Sequence, residues 1–137
     1  MKKLLSLTLT VLMIFGMSIF AVSCGDEAEE MMYKEDTVLG EGANVLLFTV
    51  EHIDGTEINF TINTDKTLLS DALLEHKLIE GPVESYGIYV KKVNGITQDY
   101  NKDGTYWSLL IDGEYAMAGA DFTDITPGVR YTFKASR

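Results

Sequence analysis

The sequence predicts an α+β domain in which a mixed sheet of about five to six strands packs on one helix. Three observations carry that expectation. Apolar residues alternate at a period of 2 over residues 46–50, 58–62, 86–93, 107–111 and 129–133, while Thr67–His76 switches to the helical period. Between these runs stand dipeptides suited to tight turns, Asp54-Gly55, Asn94-Gly95, Asp112-Gly113 and Pro127-Gly128. Two strands, a helix and then three or four strands give a β-grasp-like order.

The chain opens on Met1-Lys2-Lys3, followed by the apolar run Leu4–Phe20 and by Ala21-Val22-Ser23 before Cys24. A short basic start, an apolar stretch and small residues at the cut site are features of an exported signal. Small residues before a cysteine resemble the bacterial lipobox. That resemblance implies a signal peptide over residues 1–23, diacylglyceryl transfer to the Cys24 thiol, and a protein anchored in the cell membrane by lipid and facing outside the cytoplasm. Residues 24–43 are acidic, poor in aromatic residues and without either period, which reads as a solvated tether, the alternative being that Met31, Met32 and Tyr33 dock on the domain. The folded domain is expected over 44–137.

Within that domain Leu46, Phe48 and Val50 form the inward face of a first strand, and Ile58, Phe60 and Ile62 that of a second, joined as a hairpin through Asp54-Gly55. Leu69, Ala72, Leu73 and His76 share a stripe of a helix capped by Thr67, and Gly81-Pro82 bars its continuation. Tyr86, Ile88 and Val90 mark a third strand. Trp107, Leu109 and Ile111 mark a fourth, Tyr115–Met117 a short return strand, and Val129, Tyr131 and Phe133 the last.

Composition removes several classes of function. The chain carries 11 basic and 21 acidic residues, a net charge of −10 that becomes −12 once residues 1–23 are removed. Nucleic acid, a polyanion, is therefore not an expected partner. Cys24 is the single cysteine, so no disulfide staples the fold. No Gly-x-Ser-x-Gly elbow is present, no serine stands in a recognisable His/Asp setting, and the carboxylates are scattered, so the reading is of a non-enzyme without catalytic residues or cofactor. The two histidines, His52 and His76, lack metal-ligand spacing. Asp99-Tyr100-Asn101-Lys102-Asp103-Gly104 carries the first half of a calcium loop, but Leu110 stands where the twelfth-position carboxylate belongs, so the segment reads as a polar turn.

The segments Tyr106-Trp107-Ser108-Leu109-Leu110-Ile111-Asp112-Gly113-Glu114, Gly119-Ala120-Asp121-Phe122 and Pro127-Gly128 resemble the transcobalamin-like C-terminal domain family. Lys66–Leu78 is similar to that family's leucine-bearing helix, and Tyr86–Gly95 to its strand ending in a glycine turn. The family comprises the small β-domain of the animal vitamin B12 carriers and many bacterial surface lipoproteins. The resemblance implies capture of a corrinoid, cobalamin-like, or another amphipathic small molecule, with a transporter or second surface protein as partner. In the animal carriers a large helical domain closes the other face of the ligand, and this chain has none. The alternative reading is a cell-surface module that binds protein or glycan and no small molecule.

The expected ligand-binding residues are Tyr106, Trp107, Tyr89, Tyr115 and Met117, aromatic groups beside an adaptable thioether. For Trp107 two roles stay open: stacking on a flat ligand, or filling the core on the face it shares with Leu109 and Ile111.

Overall fold

In the computed structural model, which describes residues 29–137, a six-stranded mixed sheet carries the fold. The signal segment 1–23, the lipidation residue Cys24 and residues 25–28 of the expected tether lie outside the described residues. In chain order the elements are β1 (Thr37–Leu39), β2 (Asn44–Glu51), β3 (Glu57–Thr64), α1 (Leu69–Glu75), β4 (Ile79–Glu80), β5 (Val83–Glu84) and β6 (Gly87–Ile88). Then follow β7 (Lys92–Val93), β8 (Ile96–Thr97), α2 (Tyr100–Asp103), β9 (Tyr106–Ile111), β10 (Glu114–Tyr115), a 3-10 turn (Ala120–Phe122) and β11 (Arg130–Ser136). The main sheet runs β1-β3-β2-β11-β9-β10, with β1 parallel to β3, β2 parallel to β11, and the other pairs antiparallel.

Alternation decides the buried face. Leu46, Phe48 and Val50 of β2, Ile58, Phe60 and Ile62 of β3, and Tyr131, Phe133 and Ala135 of β11 all point into one core, covered by Leu69, Ala72 and Leu73 of α1. Phe48 packs its ring on Phe60 at 5.7 Å and on Phe133 at 6.2 Å between centroids. On the opposite face polar groups pair with one another: the Arg130 guanidinium donates to Thr49 Oγ1 at 2.8 Å, and the Thr49 hydroxyl donates to Asn59 Oδ1 at 2.8 Å.

The helix starts differently from the sequence expectation. Leu68, not Thr67, occupies the N-cap and no side chain caps it. The first free amide is satisfied by backbone instead, Leu69 N donating to the Thr123 carbonyl at 2.9 Å. The helix also stops before Gly81-Pro82, because Lys77 takes φ 57° and lets Leu78 N reach the Leu73 carbonyl at 2.9 Å, a left-handed C-terminal motif.

The third strand expected over 86–93 is not part of the main sheet. It is broken into β6 and β7, which pair with β5 and β4 upstream, and β7 pairs again with β8 through the left-handed Asn94-Gly95 turn. Gly81 breaks this ribbon. A Cβ there would lie 1.8 Å from the Tyr89 carbonyl oxygen, so only glycine allows the two segments to approach this closely.

The larger correction concerns the tether. From Glu29 onward the segment is packed on the domain, not loose. Met31, Tyr33 and Leu39 pack against the core, with Tyr33 edge-on to Phe60 at 5.5 Å, and Thr37–Leu39 adds β1 to the sheet. The fully buried Asn94 clamps this arm: its Oδ1 accepts from Tyr33 N and its Nδ2 donates to the Tyr33 carbonyl, both at 2.9 Å. Glu29 bonds the Thr97 hydroxyl at 2.7 Å and the Thr97 amide at 3.0 Å, with Lys92 Nζ at 3.7 Å. Burial opposes ionisation of Glu29, but these hydrogen bonds and the ammonium outweigh it and hold its carboxyl below the ordinary value.

Candidate functional site

An aromatic-lined groove has its origin in the β9–β10 hairpin. Asp112 and Gly113 both take positive φ and fold β10 back on Leu110 and Ile111; Ala116 N still reaches the Leu109 carbonyl at 2.9 Å. Beyond Ala116 the chain leaves the sheet, so Tyr106–Ser108 keep β11 on one side and have no strand on the other. The opening left beside that uncovered edge has a volume of about 820 Å³.

All five sequence-predicted ligand residues, Tyr106, Trp107, Tyr89, Tyr115 and Met117, line this groove. Tyr106 and Trp107 come from the open end of β9, Tyr89 from the ribbon after β6, and Tyr115 and Met117 from the departing hairpin strand. Four further aromatic residues join them: Tyr86, Tyr100 and Phe122, and the buried Phe133 of β11. Tyr86 sits at the turn between β5 and β6, where the broken strand exposes it. Tyr100 belongs to α2, whose N-cap Asp99 accepts from Asn101 N at 3.0 Å. The segment 99–104 is thus a one-turn helix, and what it brings to the groove is Tyr100, whose ring lies 6.2 Å from that of Tyr106. Phe122 closes the 3-10 turn. Only its place in the Gly119–Phe122 motif marked it in the sequence.

Of the two roles left open for Trp107, the structure shows the core one, and it also places the residue on the groove lining. The residue is 7% exposed, packs with the core cluster, and also forms part of the groove floor. Its Nε1 donates to the Ile96 carbonyl at 3.2 Å, and its ring meets His52 edge-on at 5.9 Å. His52 is itself buried and touches the Asn94 side chain at 3.4 Å. Burial pushes the His52 imidazole below its ordinary value, with Asp54 pulling the other way. His52 and Ile96, the two groups that the indole contacts, also line a second hollow of about 370 Å³ together with Met31 and Glu29.

The walls are pinned across the groove by one strong contact. Asp121 Oδ2 accepts from Ile88 N at 2.6 Å, tying the ribbon to the 3-10 turn. Gly87, at φ 107°, leaves room for that carboxylate, which would lie 2.7 Å from a Cβ. No charged side chain lines the groove. Lys91 Nζ lies 5.6 Å over the Tyr89 ring at its margin. Among the described residues, no three His, Cys, Asp or Glu side chains gather so as to hold a metal ion.

Comparison with known proteins agrees with this architecture. A search of the curated proteins finds no match. Among solved structures, the chain is similar to a Ruminococcus gnavus protein described as a candidate metal binding protein, with a TM-score of 0.65 and 27% identity over 69% of this chain and 98% of that one. It is also similar in fold to haptocorrin in complex with Cbi, with a TM-score of 0.53 and 21% identity over 88% of this chain. This chain spans 28% of the haptocorrin chain. The α+β architecture is thus a transcobalamin-like fold. Residues 65–137, more than half of the chain and including the helix, the ribbon and every wall of the groove, match the family described as a domain of unknown function, DUF4430, and to that family the chain belongs.

Proposed function

We propose that this protein is a non-enzymatic binding lipoprotein whose groove captures a flat amphipathic small molecule, most concretely a corrinoid, and passes it to a membrane transporter or second surface protein. The observation that carries the reading is the convergence of eight residues, Tyr86, Tyr89, Tyr100, Tyr106, Trp107, Tyr115, Met117 and Phe122, from separate elements on one uncharged opening. Its volume, about 820 Å³, lies within the range of small-molecule sites, about 300–1,000 Å³. Aromatic rings offer large rigid contact area at low entropic cost. The likeness in fold to haptocorrin supports a corrinoid as ligand, and the open side of the groove suits a partner that closes it. In this reading residues 1–23 are a signal peptide, Cys24 carries the lipid anchor, and the β-grasp-like domain faces outside the cytoplasm.

Titration with cobalamin tests the reading. Trp107 is the single tryptophan, so fluorescence excited to the red of tyrosine absorption reports on the groove floor. Binding should quench Trp107, shift the visible spectrum of the corrinoid and release heat in calorimetry. Absence of all three at millimolar cobalamin, with and without the transporter, leaves the alternative, a surface module for protein or glycan. That alternative has its own support in the rim, where Met117 is fully exposed and Tyr115 and Phe122 are about two-thirds exposed, as at surfaces that other macromolecules cover.

A further inference from the structure

We propose that the groove selects an organic cation: a quaternary ammonium or aromatic cationic group seated against the tyrosine wall, with its charge toward the adjoining hollow. The inference rests on the reading that the groove binds a small molecule and deepens it by fixing the sign of the ligand's charge.

The walls decide the sign. Ring faces carry the negative part of the aromatic quadrupole and attract cations within about 6 Å of the centroid. Here Tyr86, Tyr89, Tyr100, Tyr106, Tyr115 and Phe122 present such rings, and neither lysine nor arginine lines the opening to serve an anion. One ring of the wall already holds a cation, Tyr89 beneath the Lys91 ammonium at 5.6 Å. Past Tyr115, Met117 and Phe122 the groove continues into a hollow of about 460 Å³ that adds Glu114 and Asp124 and no basic side chain. Asp121, next to Phe122 in the chain, lines neither space and keeps its Oδ2 on the Ile88 amide. The chain as a whole carries −10, so the far field has the same sign as these local groups. An anion would meet no charged donor in the lining of either space, the nearest being Lys91 Nζ, which already sits over the Tyr89 ring at the margin. A neutral molecule would gain apolar contact alone, whereas a cation gains the ring faces as well.

Each partly exposed ring favours a cation over its neutral isostere by about two- to fivefold, so two rings in contact give about tenfold. The probes are choline, its neutral isostere 3,3-dimethylbutan-1-ol and the anion 3,3-dimethylbutanoate, titrated into the full-length protein with Trp107 fluorescence and calorimetry as readouts. Choline is expected to bind about tenfold more tightly than the alcohol, and the carboxylate more weakly than either. Tyr115→Leu and Phe122→Leu keep apolar bulk and remove the π face at exposed positions. Each should lower choline affinity by about two- to fivefold and leave the alcohol unchanged. Equal affinity for choline and the alcohol, tighter binding of the carboxylate, indifference of choline to both leucine variants, or no choline binding at about 50 mM would each overturn the proposal. The cobalamin titration separates the two failures: if cobalamin binds while choline shows no preference, the charge selection falls and the groove remains a binding site. If no probe binds, both fall.

Discussion

Replacing Trp107 by alanine tests the assignment of the groove floor, because the same ring supports the core and lines the groove. Truncation of a buried aromatic residue costs about 3–5 kcal/mol, the spread reflecting how far the surroundings or water fill the space left behind. Two features place Trp107 at the lower end. One side of the ring borders an open groove that water can enter, and the Ile96 carbonyl released from Nε1 gains access to that water. Against this stands the loss of the edge contact with His52, worth about 0.5–1.5 kcal/mol for an aromatic pair. About 3 kcal/mol results, which for a domain of this size lowers Tm by about 12–24 °C. Urea unfolding followed by far-ultraviolet circular dichroism measures it, since the variant has no tryptophan. Tyr106→Ala is the control. That residue is 39% exposed and keeps only the Tyr100 ring as aromatic neighbour, so the fold should lose about 1 kcal/mol or less while cobalamin affinity falls about thirtyfold, as for the loss of a central aromatic anchor. A Trp107→Ala protein as stable as the wild type, or a Tyr106→Ala protein that unfolds, would invert the assignment of floor and rim.

Other predictions follow from contacts already described. The folded state holds His52 below its unfolded value near 6.5, so its contribution to stability is complete above that pH and is lost as pH falls through the lower folded value. Urea midpoints at pH 7.5 and 5 should differ less in His52→Gln than in the wild type, and an unchanged difference would refute the role given to burial. Asn94→Ala removes two hydrogen bonds to Tyr33, each worth about 1 kcal/mol, and puts alanine at φ 50°, so about 3 kcal/mol should be lost and proteolysis should begin within residues 29–39. Uniform resistance of that segment to protease would sink the clamp. Asp121→Ala frees the Ile88 amide and should weaken cobalamin binding about tenfold through a displaced ribbon, with a smaller effect on Tm. Cys24→Ala should leave the domain folded and move it from the membrane to the soluble fraction; membrane retention after signal cleavage would refute lipidation.

The sheet strands were legible because their alternation is local. Leu46 to Val50 and Ile58 to Ile62 need only the period of 2, and Gly55, Asn94, Gly95, Asp112, Gly113 and Gly128 reach positive φ as their turn chemistry requires. The parallel pairing of β2 with β11 joins segments about eighty residues apart and leaves no local mark. The arm was hidden for the same reason. Its acidic residues dominate the composition, while its three apolar anchors, Met31, Tyr33 and Leu39, pack on a core built far along the chain, with Phe60 and Asn94 meeting Tyr33 and Ile62 paired with Leu39. In the groove, residue types were readable on strands and near them. Tyr86, Tyr100 and Phe122 sit on a turn, a single helical turn and a 3-10 turn, where exposure is set by tertiary placement and no period reveals it.

The docked arm changes the mechanical picture of an anchored domain. If Cys24 carries the proposed lipid, the fastening of Glu29 by Thr97 leaves five residue steps between anchor and fold, a reach of about 17 Å at full extension. A loose 24–43 segment would have let the domain roam several times that height. A charge of −12 after removal of residues 1–23 would repel such an anchored domain from anionic headgroups, so leash and surface would pull in opposite directions and hold it in a thin shell above the membrane. Within that shell the groove could pivot but not travel, so a protein that took over a bound molecule would itself have to stand at the bilayer surface.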